Sequence, residues 1–187
     1  MRSLILLWEI WLDFIVIMWH LILMQATPQQ LPAYKKLLIL SCTFMLTMGI
    51  LSALASGLAD INLLEAFVDL FFLLVFLKIL LYLFRFPMRF TQTATAITGT
   101  IAMFSVLFIP LNFVAADIIG FGENTQSEMQ SSPIGAVLAL IYLALFIWML
   151  RVLGHIFKHA LEVRLFFAIG IALLYLMSSL FVSLMVL

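Results

Sequence analysis

Five long runs of apolar residues, separated by short polar segments, limit what this chain can fold into. An α-helix needs about 20 apolar residues to cross a hydrocarbon core of about 30 Å, and each run is near that length. The chain is 66% hydrophobic and 10% charged, too few polar residues to cover a water-soluble fold. The sequence therefore predicts an all-α membrane protein with a bundle of five transmembrane helices. The predicted spans are residues 37–59, 63–84, 94–116, 134–150 and 165–187.

Charge alternates along the segments that flank and connect these runs. Lys and Arg occur in residues 35–36, 85–93 and 151–164, whereas residues 60–62 and 117–133 contain Asp or Glu but no Lys or Arg. Because Lys and Arg mark the cytoplasmic side of a membrane protein, we expect the first group to be cytoplasmic. The second group and the C-terminus are then extracytoplasmic. Such regular alternation supports all five runs as spans of a multi-pass plasma-membrane protein.

The first 33 residues form a separate segment before the bundle of residues 34–187. A Pro-containing hinge at residues 26–32 must interrupt any helix there. The apolar run at residues 3–24 predicts a helix whose ionisable side chains share one narrow stripe. The stripe consists of Arg2, Glu9, Asp13 and His20.

Two placements are open for this N-terminal helix. It lies in the membrane plane as an amphipathic helix on the cytoplasmic side, or it crosses the membrane as a sixth span. The tryptophans in the middle of the run favour the in-plane placement, because spans carry them at the two interfaces. Glu9 and Asp13 would interrupt the apolar core of a signal peptide, so we expect the segment to be retained.

Glu65 and Asp69 stand one helical turn apart in the second predicted span. Ionisable groups at membrane depth are costly, so both are candidates for an ion pathway or another polar pathway. In the alternative structural interpretation, Glu65 lies at the interface and Asp69 pairs with a polar group of a neighbouring span.

His155 and His159 are four residues apart and would share one face of a helix. Two imidazoles are too few for a metal site, and a third ligand would have to come from Glu162 or His20. We therefore predict no metal and no cofactor. An interfacial turn that meets lipid headgroups or a protein partner is favoured, and the candidates for such contacts are Glu9, Asp13, His20, His155 and His159.

Small residues recur every four positions in two predicted spans. This spacing lets two helix backbones approach closely in lipid. It indicates either a dimer contact or, as we favour, packing inside one chain. The residues are Gly49, Ala53 and Gly57 in the first span, and Thr91, Thr95 and Gly99 at the third.

No motif for catalysis was found in the sequence: there is no phosphate-binding loop, no HExxH and no GxSxG. The single cysteine, Cys42, has no thiol partner in the chain and is interpreted as a packing residue. The formal net charge is zero, which argues against a nucleic-acid partner. We therefore expect a protein that is not an enzyme.

Three short polar motifs carry a resemblance to known proteins: residues 28–32 (PQQLP), residues 92–100 (QTATAITGT) and residues 152–162, which begin VLGH. With them the chain resembles a group of small uncharacterised proteobacterial inner-membrane proteins. The five-span layout also looks like the Yip family, whose members are associated with membrane organisation and with small-GTPase or membrane-protein partners. Residues 1–33 do not resemble the long hydrophilic N-terminal region of the eukaryotic Yip members.

These observations favour a scaffold or an accessory subunit of a membrane complex, or a protein of membrane organisation. The expected partners are the lipid bilayer and either another membrane protein or further copies of this chain. The alternative is a small oligomeric channel or transporter that uses Glu65 and Asp69.

Overall fold

The computed structural model describes residues 14–56, 63–119 and 133–186, and these form an all-α bundle. Five of the helices in this part of the chain are long and apolar enough to cross a membrane, as the sequence predicts. Two 3-10 turns, Pro28–Gln30 and Pro87–Arg89, precede the second and fourth helices. The helices are α1 (described from residue 14 to 22), α2 (Lys35–Ala55), α3 (Leu63–Leu83), α4 (Phe90–Ile119), α5 (Pro133–Leu161) and α6 (Leu165–Val186).

Neighbouring spans run in the directions that an up-and-down bundle requires. Side-chain pairs at successive depths show that α4 and α5 are antiparallel, that α3 and α6 are antiparallel, and that α2 and α4 are parallel. For α4 and α5 the pairs are Phe104–Trp148 and Phe108–Tyr142. For α3 and α6 they are Phe84–Phe167 and Phe72–Tyr175, and for α2 and α4 they are Ser41–Thr98 and Ser52–Asn112.

The alternating directions collect the basic segments at one end of the bundle. We call this the basic end; α2, α4 and α6 begin there, and α3 and α5 end there. The opposite end, near which Glu65 and Asp69 lie, is the acidic end. The grouping of charge agrees with the alternation in the sequence, and it is the pattern of proteins oriented by the positive-inside rule.

Helix α5 is longer than the sequence predicted. Residues 151–164 were interpreted as a connection, but α5 continues to Leu161 and only residues 162–164 separate it from α6. The charged residues in this stretch lower its hydropathy, yet its apolar residues recur on one helical face and are buried. They are Val152, Leu153, Ile156, Phe157, Ala160 and Leu161. The prediction failed because an amphipathic extension was interpreted as the end of a helix.

Other helix limits differ by a few residues. Helix α2 ends at Ala55 rather than at residue 59, and α4 extends beyond its predicted span at both ends, from Phe90 to Ile119. The first turn of α4 therefore takes up part of the segment that was predicted to connect the second and third spans.

One face of helix α1 packs against the bundle along its described length, and the opposite face is exposed. Phe14 and Met18 are buried against Gly99 of α4, and the indole of Trp148 donates a hydrogen bond to the Ile22 carbonyl, 3.2 Å. Further along, Nε2 of His155 lies 3.2 Å from the Ala26 carbonyl. Over residues 14–22 the contacts of α1 pass from Gly99 of α4 to Trp148 of α5, and the in-plane and spanning placements of this helix both stay predictions. Glu9 and Asp13 lie outside the described residues.

Helix α4 is the centre of the bundle. Residues 93–100 are buried without interruption, because α1, α2 and α5 all pack around this stretch. By contrast, only 17% of the most apolar stretch of α3 is buried inside the chain. The outer faces of the spans therefore remain apolar and uncovered, as lipid contact requires.

Candidate functional site

Three segments meet at the basic end and are joined by polar side chains. They are the hinge at residues 26–32, the start of α4 with the turn before it, and the last two turns of α5. Most of the bonds at this junction go from a side chain of one segment to a main-chain carbonyl of another. We call this arrangement the basic-end network.

Arg89 caps the end of α5. Its Nη1 donates hydrogen bonds to the carbonyls of Ala160 (3.2 Å) and His159 (3.4 Å), which belong to the last helical turn and lack partners inside the helix. Its Nη2 lies 2.5 Å from Oε1 of Glu162 in an ion pair, and its guanidinium stacks over Phe86, with 4.3 Å from Cζ to the ring centroid. A cation at this position also complements the negative end of the helix dipole.

The hinge is bound by two glutamines. Gln29 donates from Nε2 to the His159 carbonyl, 2.5 Å, which also accepts from Arg89. Gln92, in the first turn of α4, donates from Nε2 to the Leu31 carbonyl (2.7 Å) and the Gln29 carbonyl (3.3 Å). The prolines of the hinge prevent an α-helix, so its carbonyls need these outside donors.

His155 and His159 belong to this network. Nε2 of His155 lies 3.2 Å from the Ala26 carbonyl, a contact that requires the proton on Nε2. The two imidazoles meet edge to face, with ring centroids 4.6 Å apart. No group of three metal-ligating side chains occurs within residues 14–56, 63–119 and 133–186.

His20 lies apart from the basic-end network. Its Nδ1 is 2.7 Å from the Val16 carbonyl of its own helix, and the residue is exposed. The predicted contact residues are therefore brought together only in part, with His155 and His159 in one cluster and His20 elsewhere.

Glu65 and Asp69 contact serines of α6. Ser179 donates from Oγ to Oδ1 of Asp69, 2.9 Å, and Ser183 donates to Oε1 of Glu65. The two pairs are one helical turn apart on both α3 and α6, as expected where two antiparallel helices are in contact. The structure thus places a hydroxyl of a neighbouring span beside Asp69, the kind of partner that the structural interpretation of this residue requires. The two carboxylates remain partly accessible.

Of the small residues, Gly99 packs inside the chain, since a Cβ there would overlap the sulfur of Met18. Thr95 is buried and donates to the Thr91 carbonyl of its own helix, 2.8 Å. Gly49 has open space around the position of a Cβ, and Ala53 is half-buried. Gly57 lies outside the described residues.

Several residues of the basic-end network were not predicted as site residues. Arg89 was interpreted only as a topology signal, and the glutamines only as parts of short motifs. The signal that could have identified them is their chemistry: in so apolar a chain, glutamines next to prolines and at a helix start indicate backbone carbonyls that need donors. The three motifs behind the family resemblance in fact supply most of the network, through Gln29, Gln92, His155 and Glu162.

No protein-family model, curated protein or solved structure matches this chain. The structure itself supports a multi-pass integral membrane protein by the length and composition of its helices.

Proposed function

We propose that this chain is a non-enzymatic scaffold or an accessory subunit of a complex in the bacterial inner membrane, or a protein that acts in membrane organisation. Its partner binds at the basic end. The observation that carries the proposal is the basic-end network. Its donors bind main-chain carbonyls of the same chain, so they hold a surface in shape. A catalytic or transport site instead needs polar groups that can exchange partners with a substrate.

The surface around the network suits a membrane-protein partner. Met88 and Phe166 are exposed to 92% and 90%, although both are large apolar residues at an end rich in Lys and Arg. Exposed apolar groups rimmed by charge are typical of interaction surfaces. The resemblance to the Yip layout, whose members work with protein partners, agrees with this assignment.

Purification from native membranes in mild detergent, followed by quantitative mass spectrometry, tests the proposal. The wild-type chain should retain a partner protein in a fixed ratio. Arg89→Gln removes the cap of α5 and should reduce that ratio several-fold, whereas the control Arg151→Gln, at an exposed arginine of α5 well before its basic end, should retain the partner. A chain that purifies without any partner in fixed ratio would contradict the proposal.

A small oligomeric channel or transporter is the second candidate, because the Glu65–Ser183 and Asp69–Ser179 pairs line one contact near the acidic end. Reconstitution into liposomes tests it. If the chain conducts ions and Asp69→Asn abolishes the flux, the scaffold assignment is wrong. The control is Ser178→Ala, on the same turn of α6, since the Ser178 hydroxyl bonds only to carbonyls of its own helix within the described residues.

A further inference from the structure

An apolar groove runs along the outer face of α3. A cavity of about 160 Å³ is lined, within the described residues, by apolar side chains on one stripe of the helix. They are Phe72, Val75, Phe76, Ile79, Leu80 and Leu83. From Phe72 to Leu83 the groove is about 16 Å long at 1.5 Å per residue, which is about half of a 30 Å hydrocarbon core, the depth of one leaflet.

A second pocket lies beside the groove at the basic end. This pocket has a volume of about 470 Å³ and is lined by Tyr82, Leu83, Arg85 and Pro87. Leu83 lines both cavities, so the apolar groove and the polar mouth are neighbours on the surface of the chain. Tyr82 is 76% exposed, and its ring and hydroxyl suit the headgroup level of a bilayer.

Positive charge at the mouth is not neutralised by the described part of the chain. Within the described residues, the carboxylate at this end of the bundle is that of Glu162, and it forms an ion pair with Arg89. Arg85 is exposed and has no ion pair within the described residues. Phe84 contacts Phe167 of α6, which brings the start of α6, with exposed Arg164, to the same side.

We propose that this composite cavity binds one anionic phospholipid. Its phosphate binds the Arg85 guanidinium, whose planar donors suit phosphate oxygens, and one acyl chain occupies the α3 groove. Lys78, one turn below Tyr82 and exposed, can extend its ammonium toward the same headgroup. A molecule with an anionic head and a tail of one-leaflet length matches both cavities. The assignment does not depend on the scaffold function.

Native mass spectrometry of the detergent-purified chain, titrated with phosphatidylglycerol or phosphatidylethanolamine of the same acyl chains, tests the headgroup contact. We expect tighter binding of phosphatidylglycerol. Arg85→Gln should weaken the binding of phosphatidylglycerol about five-fold, which is the effect of one basic residue near an anionic headgroup. Arg85→Lys should retain most of the preference, and Arg151→Gln should leave it unchanged. Equal binding of the two lipids, or equal losses in Arg85→Gln and Arg151→Gln, would overturn the proposal.

Filling the groove tests the acyl-chain contact. Ile79→Trp places a large ring in the groove and should weaken binding of both lipids several-fold. The control is Leu140→Trp on α5, since Leu140 is similarly exposed but outside the groove. Unchanged lipid binding in Ile79→Trp, or a dimer that forms through α3 and excludes lipid, would show that the groove has another occupant.

Discussion

Arg89 stabilises the bundle more through the backbone of α5 than through its ion pair. The Glu162 side chain is 58% exposed, and an exposed ion pair contributes at most about 1 kcal/mol. The carbonyls of His159 and Ala160 instead lie at a helix end without intrahelical partners. Hydrogen bonds from a charged donor to such groups contribute about 1.5–3 kcal/mol. Glu162→Gln should therefore lower the free energy of unfolding less than Arg89→Gln, as thermal unfolding in detergent would measure.

Two glycines on the α5–α6 pair offer a matched test of close packing. A Cβ at Gly154 would lie 2.6 Å from Cγ1 and 3.4 Å from Cα of Ile169, whereas a Cβ at Gly170 meets nothing within 4 Å. Gly154→Ala should lower the free energy of unfolding by about 1–3 kcal/mol, because the helices must separate. Gly170→Ala should be neutral or stabilising by up to about 1 kcal/mol through helix propensity.

Thermal unfolding in detergent, followed by the loss of monodisperse protein, measures both glycine variants. Equal unfolding temperatures for Gly154→Ala and Gly170→Ala would contradict the close contact of α5 with α6.

At the scale of elements, three spans are joined by one polar cluster away from the basic end. Asn112 of α4 donates from Nδ2 to Oγ (2.9 Å) and the carbonyl (3.1 Å) of Ser52 on α2. Tyr142 of α5 donates to Oδ1 of Asn112, 2.5 Å. Asn112 follows Pro110, which lies inside α4. These bonds couple α2 and α5 through α4.

A double-mutant cycle on Asn112→Ala and Tyr142→Phe should reveal this coupling. Hydrogen bonds between membrane helices contribute about 0.6 kcal/mol on average and up to about 1.7 kcal/mol, so we expect a coupling free energy in that range. Reversible unfolding in bicelles measures it. Tyr34→Phe, at an exposed tyrosine before α2, should show no coupling with Asn112→Ala. A coupling free energy of zero between Asn112→Ala and Tyr142→Phe would mean that the hydrogen bond is not formed.

The elements could be predicted from the sequence where hydropathy alone decides them, as for α3 and α6. Prediction failed where a helix continues beyond the apolar core, because the last turns of α5 alternate charged and buried apolar residues. The basic-end network was predicted only in part. His155 and His159 were recognised by their spacing, but the role of Arg89 and Gln92 depends on which carbonyls other segments leave without donors, and that is a tertiary property.

At the scale of the whole molecule, orientation is a separate prediction. We expect the basic end to be cytoplasmic, since Lys and Arg hold short connections on that side. In a Cys42→Ala background, Met88→Cys should react with a membrane-impermeant maleimide only after the membrane is opened. Ser127→Cys, in the predicted outer connection, should react in intact spheroplasts. Labelling of Met88→Cys in intact spheroplasts would reverse the orientation.

Site-specific photo-crosslinking in living cells tests whether the basic end is the partner-facing surface. A photoreactive residue replaces Met88 or Phe166 at the basic end, or Phe113 toward the acidic end of α4, which is also exposed. We expect one specific crosslinked protein from Met88 and Phe166, its loss on Arg89→Gln, and none from Phe113. Crosslinks from Phe113 alone, or no protein crosslink from the basic end, would contradict it.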